Sequence, residues 1–478
     1  MTIGDGPRLW KDCKEFGRYF RDLHVDTSWI RRRVETIDMV DSAHIQRRIS
    51  LDVDMNDVRS RALKFGVDIE HGVFLPISLL KKNLLLDFDI RDDSGNTLSI
   101  LTSDEDSHAA QSCMLASIEN LGVDPGSLNT AIIDRIYHLA REEPSSADCV
   151  TLADSESDSE SSSSVEAWTI LEPQLNLDKE DVNQWNSFFS DDEFRGFAID
   201  FTLKYCPIVR VDCNRNSSVI KIKLLDTESA IRDNPAWREE FCITESLYEV
   251  PFPSAGRAQR EHFRIIAPEG ILMLGTLMLR ADDATSEKSH PVPRKTSSLF
   301  THRVSTNRVS LYTRNVPVGN YAALVALKPD NAGFAIPAIL SVGLSAILLL
   351  MGSIAQFLGD TLEYVAEKQS SPAVSLILII PSTVSAYLAR QGDHEIRARL
   401  LRVPRFLVGI SAISTAIAII ATVGNITPDW MALVWLVCAI ICMVVLVLLV
   451  LMAHDTKKQA GYVRLFSDKS QEDIILNM

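Results

Sequence analysis

The sequence predicts an α+β chain in which a cytosolic, β-rich, sandwich-like region with flanking helices precedes a four-helix transmembrane bundle. Three observations predict it. Four stretches late in the chain contain no Asp, Glu, Lys or Arg. Short segments of the front part alternate apolar and polar residues. Charge is also unevenly placed: the first 332 of 478 residues hold 38 Lys and Arg against 53 Asp and Glu, so the whole net charge of −15 lies there. That acidic excess cannot neutralise a run of phosphates, which excludes nonspecific nucleic-acid binding.

The charge-free stretches are Asn331–Gly359, Gln369–Ala389, Phe406–Pro428 and Trp430–His454. A hydrocarbon core of about 30 Å needs about 20 helical residues, so each is long enough to cross. Spans are expected at about 334–358, 370–389, 406–424 and 430–453. Arg390, Arg397, Arg399, Arg402 and Arg405 follow the second span, and Lys457, Lys458 and Arg464 follow the fourth. Basic loops stay in the cytoplasm, which places both termini there. Met1–Lys14 has no apolar signal core, in agreement. Pro381 removes a helical hydrogen bond inside the second span and is the candidate helix hinge, with Ser382 and Thr383 placed to relieve the defect. In the third span, Ser411 and Thr415, Ala412 and Ala416, and Ser414 and Ala418 are spaced to let another helix approach closely.

The expected divisions are a cytosolic α+β region over 1–143, an acidic Ser-rich linker over 144–166, a β-rich domain over 167–330, the spans over 331–454 and a cytosolic tail. Odd positions from Ile45 to Met55 are apolar except Arg47, the alternation of a half-buried strand, and Trp29–Val40 is its hairpin partner. A second hairpin is read at Leu86–Ile90 and Leu98–Leu101 across Asp92–Asn96. Ser103 and Asp106 read as a helix-start box, and further helices are expected over Leu128–Arg141 and Asp178–Phe189. Strands are expected at Phe197–Tyr205, Ile208–Val211, Val219–Leu225, Phe263–Ala267, Ile271–Leu279, Val309–Thr313 and Tyr321–Ala326, with Ile208–Val211 and Val219–Leu225 joined as a hairpin. Asp154–Ser164 consists only of Ser, Glu and Asp, and is read as a disordered spacer. Thr285–Thr306 reads as a polar loop.

Motifs for chemistry are sparse. The phosphate-cradling glycine loops and the nucleophile elbow are missing, and His394-Glu395 lacks the second histidine of a zinc protease. Asp87, Asp89, Asp92 and Asp93 resemble a calcium loop, but Asp92 stands where its glycine must turn. No Cys-x-x-Cys spacing occurs among the eight cysteines. No cofactor or metal site is therefore assigned. Arg31, Arg32, Arg33, Arg47 and Arg48 are the candidate contacts for an anion or anionic lipid, converging across the first hairpin. His262 is considered as a general base, without an identifiable nucleophile.

Three phrases carry a resemblance: Arg47-Arg48-Ile49-Ser50-Leu51-Asp52, Phe74 to Lys82, and His262-Phe263 with Ala267-Pro268-Glu269-Gly270. They resemble those of an uncharacterised family of bacterial, actinobacterial-type multi-span membrane proteins. The resemblance implies a cytosolic β-rich region ahead of the membrane helices and assigns no site residue. The functional expectation is a non-enzymatic, membrane-anchored receptor or scaffold whose β-rich region binds a partner or ligand. Its other partners are the lipid bilayer and further copies met through the helices. The alternative is a ligand-gated pore or membrane effector.

Overall fold

A computed structural model describes residues 9–41, 44–82, 86–141, 179–226, 246–280, 301–305, 307–314, 316–330, 333–358, 379, 381–388, 394–423 and 428–459. The alternating segments form β1 (Ile30–Met39) and β2 (Ile45–Asp54), an antiparallel hairpin in which Glu35 faces Ile49 and Thr36 faces Arg48. Two further strands of the front half are β3 (Val73–Pro76) and β4 (Leu80–Lys81), followed by β5 (Leu86–Arg91). After position 179 come β6 (Lys204–Tyr205), β7 (Ile208–Val211), β8 (Ser217–Asp226), β9 (Ser246–Ala255), β10 (Arg260–Ile266), β11 (Ile271–Arg280), β12 (Thr301–Ser305), β13 (Arg308–Arg314) and β14 (Gly319–Pro329).

Seven strands make one sheet in the order β12-β13-β10-β1-β2-β8-β5. Strands from both sides of the acidic tract thus share one sheet, through the parallel pair β1–β10 and the antiparallel pair β2–β8. The sheet β11-β14-β9 packs against its inner face, where Ile37, Phe263, Val309 and Leu311 meet Val250, Phe252 and Val325. Rings of Phe252 and Phe263 lie 4.5 Å apart between centroids. Each such large buried side chain contributes about 1.5–3 kcal/mol.

Helices cover the rest. They are α1 (Trp10–Val25), α2 (Met55–Lys64), α3 (Ser103–Asn120), α4 (Thr130–Arg141), α5 (Lys179–Phe189) and α6 (Asp192–Leu203). The cap of α3 stands one residue before the expected box: Thr102 accepts from the Glu105 N–H, and Glu105 accepts from the Thr102 N–H at 2.8 Å. Helix α6 overturns the strand expected at Phe197–Tyr205. Phe194, Phe197, Ala198 and Phe201 recur at helical spacing on one buried face, and Asp191 caps the Phe194 N–H at 2.9 Å. Two hairpins also differ. β7 pairs with β3 and not with β8, while Leu98–Leu101 contributes one isolated bridge, Ile100 to Val209, and no strand. In the turn before it, Asp92 accepts from the Asn96 N–H at 2.8 Å and Gly95 sits at φ 88, so these carboxylates build a turn. The acidic tract, 285–300 and 306 of the expected polar loop, and the tail beyond 459 lie outside the described residues, while 301–305 of that loop form the strand β12, paired with β13.

Among the described residues three helices are long and apolar enough to cross a membrane: α7 (Ala335–Leu358), α9 (Arg402–Val423) and α10 (Pro428–Gln459), with a short α8 (Glu395–Leu400) before α9. Most of the expected second span, 369–378 and 380, lies outside the described residues, and 381–388 is helical. Helices α7 and α10 run antiparallel: Gly343 meets Leu446, and Gly352 meets Trp435. The small-residue face of α9 packs inward, with Ser411 Oγ 3.3 Å from Cys442 Sγ. Ser382 and Thr383 hydroxyls donate to the Ile379 carbonyl at 2.9 and 2.8 Å, and the Ser341 hydroxyl donates to the Pro381 carbonyl at 2.9 Å.

Sheet and helices meet at one joint. Strand β14 ends at Pro329 and α7 begins at Ala335. Ile396 of α8 is 1% exposed inside the core between the two sheets, with Leu400 packed beside it. The neighbouring Arg397 guanidinium lies so close to Gly270 and Gly333 that a Cβ on either would stand 2.9 or 2.7 Å from it.

Candidate functional site

Period-two alternation sends the odd residues of β1 and β2 inward, so Arg33, Glu35 and Arg47 lie between the stacked sheets. Glu35 is 0% exposed and bridges both guanidiniums, accepting from Arg33 at 2.5 Å and also from Arg47. Arg47 further donates to the Pro251 carbonyl at 3.1 Å and to Asp226 at 3.2 Å, while Arg33 reaches the Ser254 carbonyl. Glu261 stands 4.0 Å from Arg33 and accepts from the Gly256 N–H at 2.8 Å. Burial pushes the Glu261 carboxyl up, and Arg33 opposes that only in part.

The five arginines singled out in the sequence are therefore separated. Arg33 and Arg47 are held by buried carboxylates; Arg31 leaves the register at a bulge and bonds Asp54 at 2.5 Å. Arg32 and Arg48 remain on the outer face, Arg48 paired with Asp38.

On that outer face the register aligns Ser310, Arg264, Thr36, Arg48, Lys223 and Asp89 in one row, from β13 across β10, β1, β2 and β8 to β5. The adjacent row reads Tyr312, His262, Val34, Ser50, Lys221 and Arg91. Short side chains on the two central strands lie between long basic ones. The result is a trough of about 490 Å³ whose lining includes Thr36, Ser50, Arg48, Lys221, Arg264 and Arg308. His262 is 5% exposed, stacks on Tyr312 at 4.0 Å, and accepts from Arg264 Nε at 3.2 Å through Nε2. Burial first, then Arg264 and Arg32, bring its pKa down to about 4. It is thus a neutral acceptor that orients Arg264, a role different from the general base considered above.

Two groups invisible to motif reading also stand out. Cys206 Sγ lies 3.7 Å from His24 Nε2, the elements of a nucleophile pair. Nucleophilic catalysis needs a depressed thiol and a basic imidazole. Here burial pushes Cys206 well up and His24 down to about 4, and the adjoining cavity measures about 20 Å³. His24 is instead a core residue among Phe20, Phe197 and Phe201, donating from Nδ1 to the Phe20 carbonyl at 3.1 Å. Asp106 of α3 lines a separate cavity of about 440 Å³ with Lys82 and Tyr205, and burial raises it to about 7.

A pH dependence follows from His24. Its folded pKa is below the unfolded value, so the unfolded chain takes the proton first and stability falls as pH drops from 6.5 to about 4. Relative to wild type, His24→Phe is expected to flatten thermal stability across that window. Parallel pH profiles for the two proteins would contradict it.

Comparison with protein-family models, curated proteins and solved structures returns no match, so the resemblance described above rests on its three phrases alone.

Proposed function

We propose that the chain is a membrane-anchored receptor or scaffold. Its β-rich region lies on the cytosolic side, binds a partner or ligand, and is held by four helices that also meet further copies. The joint at α8 carries this reading. A segment between two spans whose side chains complete the core of the β-rich region ties any change in that region to the helices. Orientation is supported by charge: Arg397, Arg399, Arg402 and Arg405 gather at the end where β14 enters α7. Helix α10, antiparallel to α7, returns Lys457 and Lys458 to the same end. The buried hydroxyls of Ser341, Ser345, Ser385, Ser411 and Thr415 favour the second reading, a pore gated from the β-rich region through Pro381.

Membrane potential and thiol labelling in intact cells test both. Asp429→Cys is expected to react with a membrane-impermeant maleimide, Val40→Cys only after lysis, and expression of the full chain is expected to leave the potential unchanged. Labelling of Val40→Cys in intact cells would overturn the receptor orientation. Depolarisation that Pro381→Ala abolishes would replace the receptor with the pore.

A further inference from the structure

The outer trough is locally basic on an acidic chain. Six cations line it, Arg48, Arg91, Lys221, Lys223, Arg264 and Arg308, against the paired carboxylates Asp38, Asp87 and Asp89, a local excess of three positive charges where the whole chain carries −15. Arg264, Lys221 and Arg308 have no carboxylate partner among the described residues. The three are not clustered by sequence, since β8, β10 and β13 bring them in separately. Neighbouring strands lie about 4.8 Å apart, so Arg264 on β10 and Arg48 on β2 flank a gap of roughly 10 Å floored by β1. The hydroxyls of Thr36, Ser50 and Ser310 stand at that floor and edge, as donors between the cations.

Such spacing fits two anionic groups, one met by Arg264 and Arg308, the other by Lys221 and Arg48. Guanidiniums recognise phosphate through paired donors, and lysine adds a point charge. The trough is the size of a small-molecule site and far smaller than a nucleic-acid groove. Its Arg308 end adjoins the joint: the Ala267 N–H bonds the Asn307 carbonyl at 2.9 Å, and Gly270, three residues on, touches Arg397.

We propose that this outer face binds a ligand carrying two phosphate groups, either free in solution or as the headgroup of a lipid in the adjacent leaflet. The proposal deepens the receptor reading and rests on it for the compartment in which the ligand is met. Binding itself is measured independently of orientation.

The full chain is reconstituted in phosphatidylcholine nanodiscs and titrated with inorganic pyrophosphate, by calorimetry. In a second arm, discs containing cardiolipin, which carries two phosphates, are compared with phosphatidylcholine alone by protection of the β10–β13 amides from hydrogen exchange. Saturable pyrophosphate binding identifies a soluble ligand. Protection by cardiolipin without pyrophosphate binding identifies the lipid. In either arm Arg264→Gln and Lys221→Gln are each expected to weaken binding about tenfold or more, since each removes a charge-assisted hydrogen bond to the ligand. Lys221 is exposed, and its variant should keep the wild-type melting temperature, which separates lost binding from lost folding. The proposal falls if neither arm shows binding, or if both variants bind as wild type does.

Discussion

Glu35→Ala is expected to destabilise the protein by about 3–5 kcal/mol, because it strands two buried guanidiniums with their shared carboxylate gone. Thermal unfolding of the detergent-solubilised full chain should move down on the order of 10 °C. Arg33 and Arg47 are each 4% exposed; without Glu35, Arg47 keeps only Asp226 at 3.2 Å and Arg33 only Glu261 at 4.0 Å, besides the uncharged carbonyls of Pro251 and Ser254. Glu261→Gln provides the contrast. Its carboxyl is already pushed up, so its folded form favours the proton, and the cost of ionising it is present above the folded pKa and relieved as pH falls. The amide removes that cost, and the substitution is expected to be neutral or stabilising at pH 7. Equal losses for the two variants would mean that the cluster is solvated and that Glu35 has no special place in it.

Gly352→Val is expected to pull α7 away from α10. A Cβ at this position would overlap the Trp435 ring, and the neighbouring Ser353 hydroxyl donates to the Ala432 carbonyl at 3.0 Å, so the two backbones are locked at close approach. Overpacking costs about 1–3 kcal/mol, and Trp435→Ala alone about 3–5 kcal/mol. Together the two changes should cost less than the sum by at least about 1 kcal/mol, since the smaller ring position leaves room for the added side chain. Strict additivity in a double-mutant cycle would show that the glycine and the tryptophan act apart.

Much of this fold was legible in the sequence. The first hairpin, α4, α5 and the three long apolar helices follow from period and length. The apparent exception at Arg47 was also informative: alternation places it inward with Arg33 and Glu35, and a buried charge needs a buried partner. Other elements were masked by their composition. Helix α6 is rich in Phe, Ile and Thr, residues with strand propensity, although its caps and spacing are helical. Strand β9 contains Pro251 and Pro253 and went unread; it lies at the edge of its sheet, where proline is tolerated. Of the outer trough only Arg48 was legible, since its walls come from strands separated by long stretches of chain that the β1–β10 and β2–β8 pairings bring together.

That pairing has a consequence for biogenesis. β1 cannot find β10 until most of the front region has been synthesised, and the sheet is completed by β13, which precedes α7 by about twenty residues. Contacts of such long sequence separation form slowly. By the time β14 has been made, α7 follows within a few residues, so the last strand and the first long apolar helix emerge almost together. The core between the two sheets therefore closes late, and α8, made later still, contributes Ile396 to it last. Completion of that core is in this way made conditional on synthesis of the chain through α8, well past the last strand of the β-rich region.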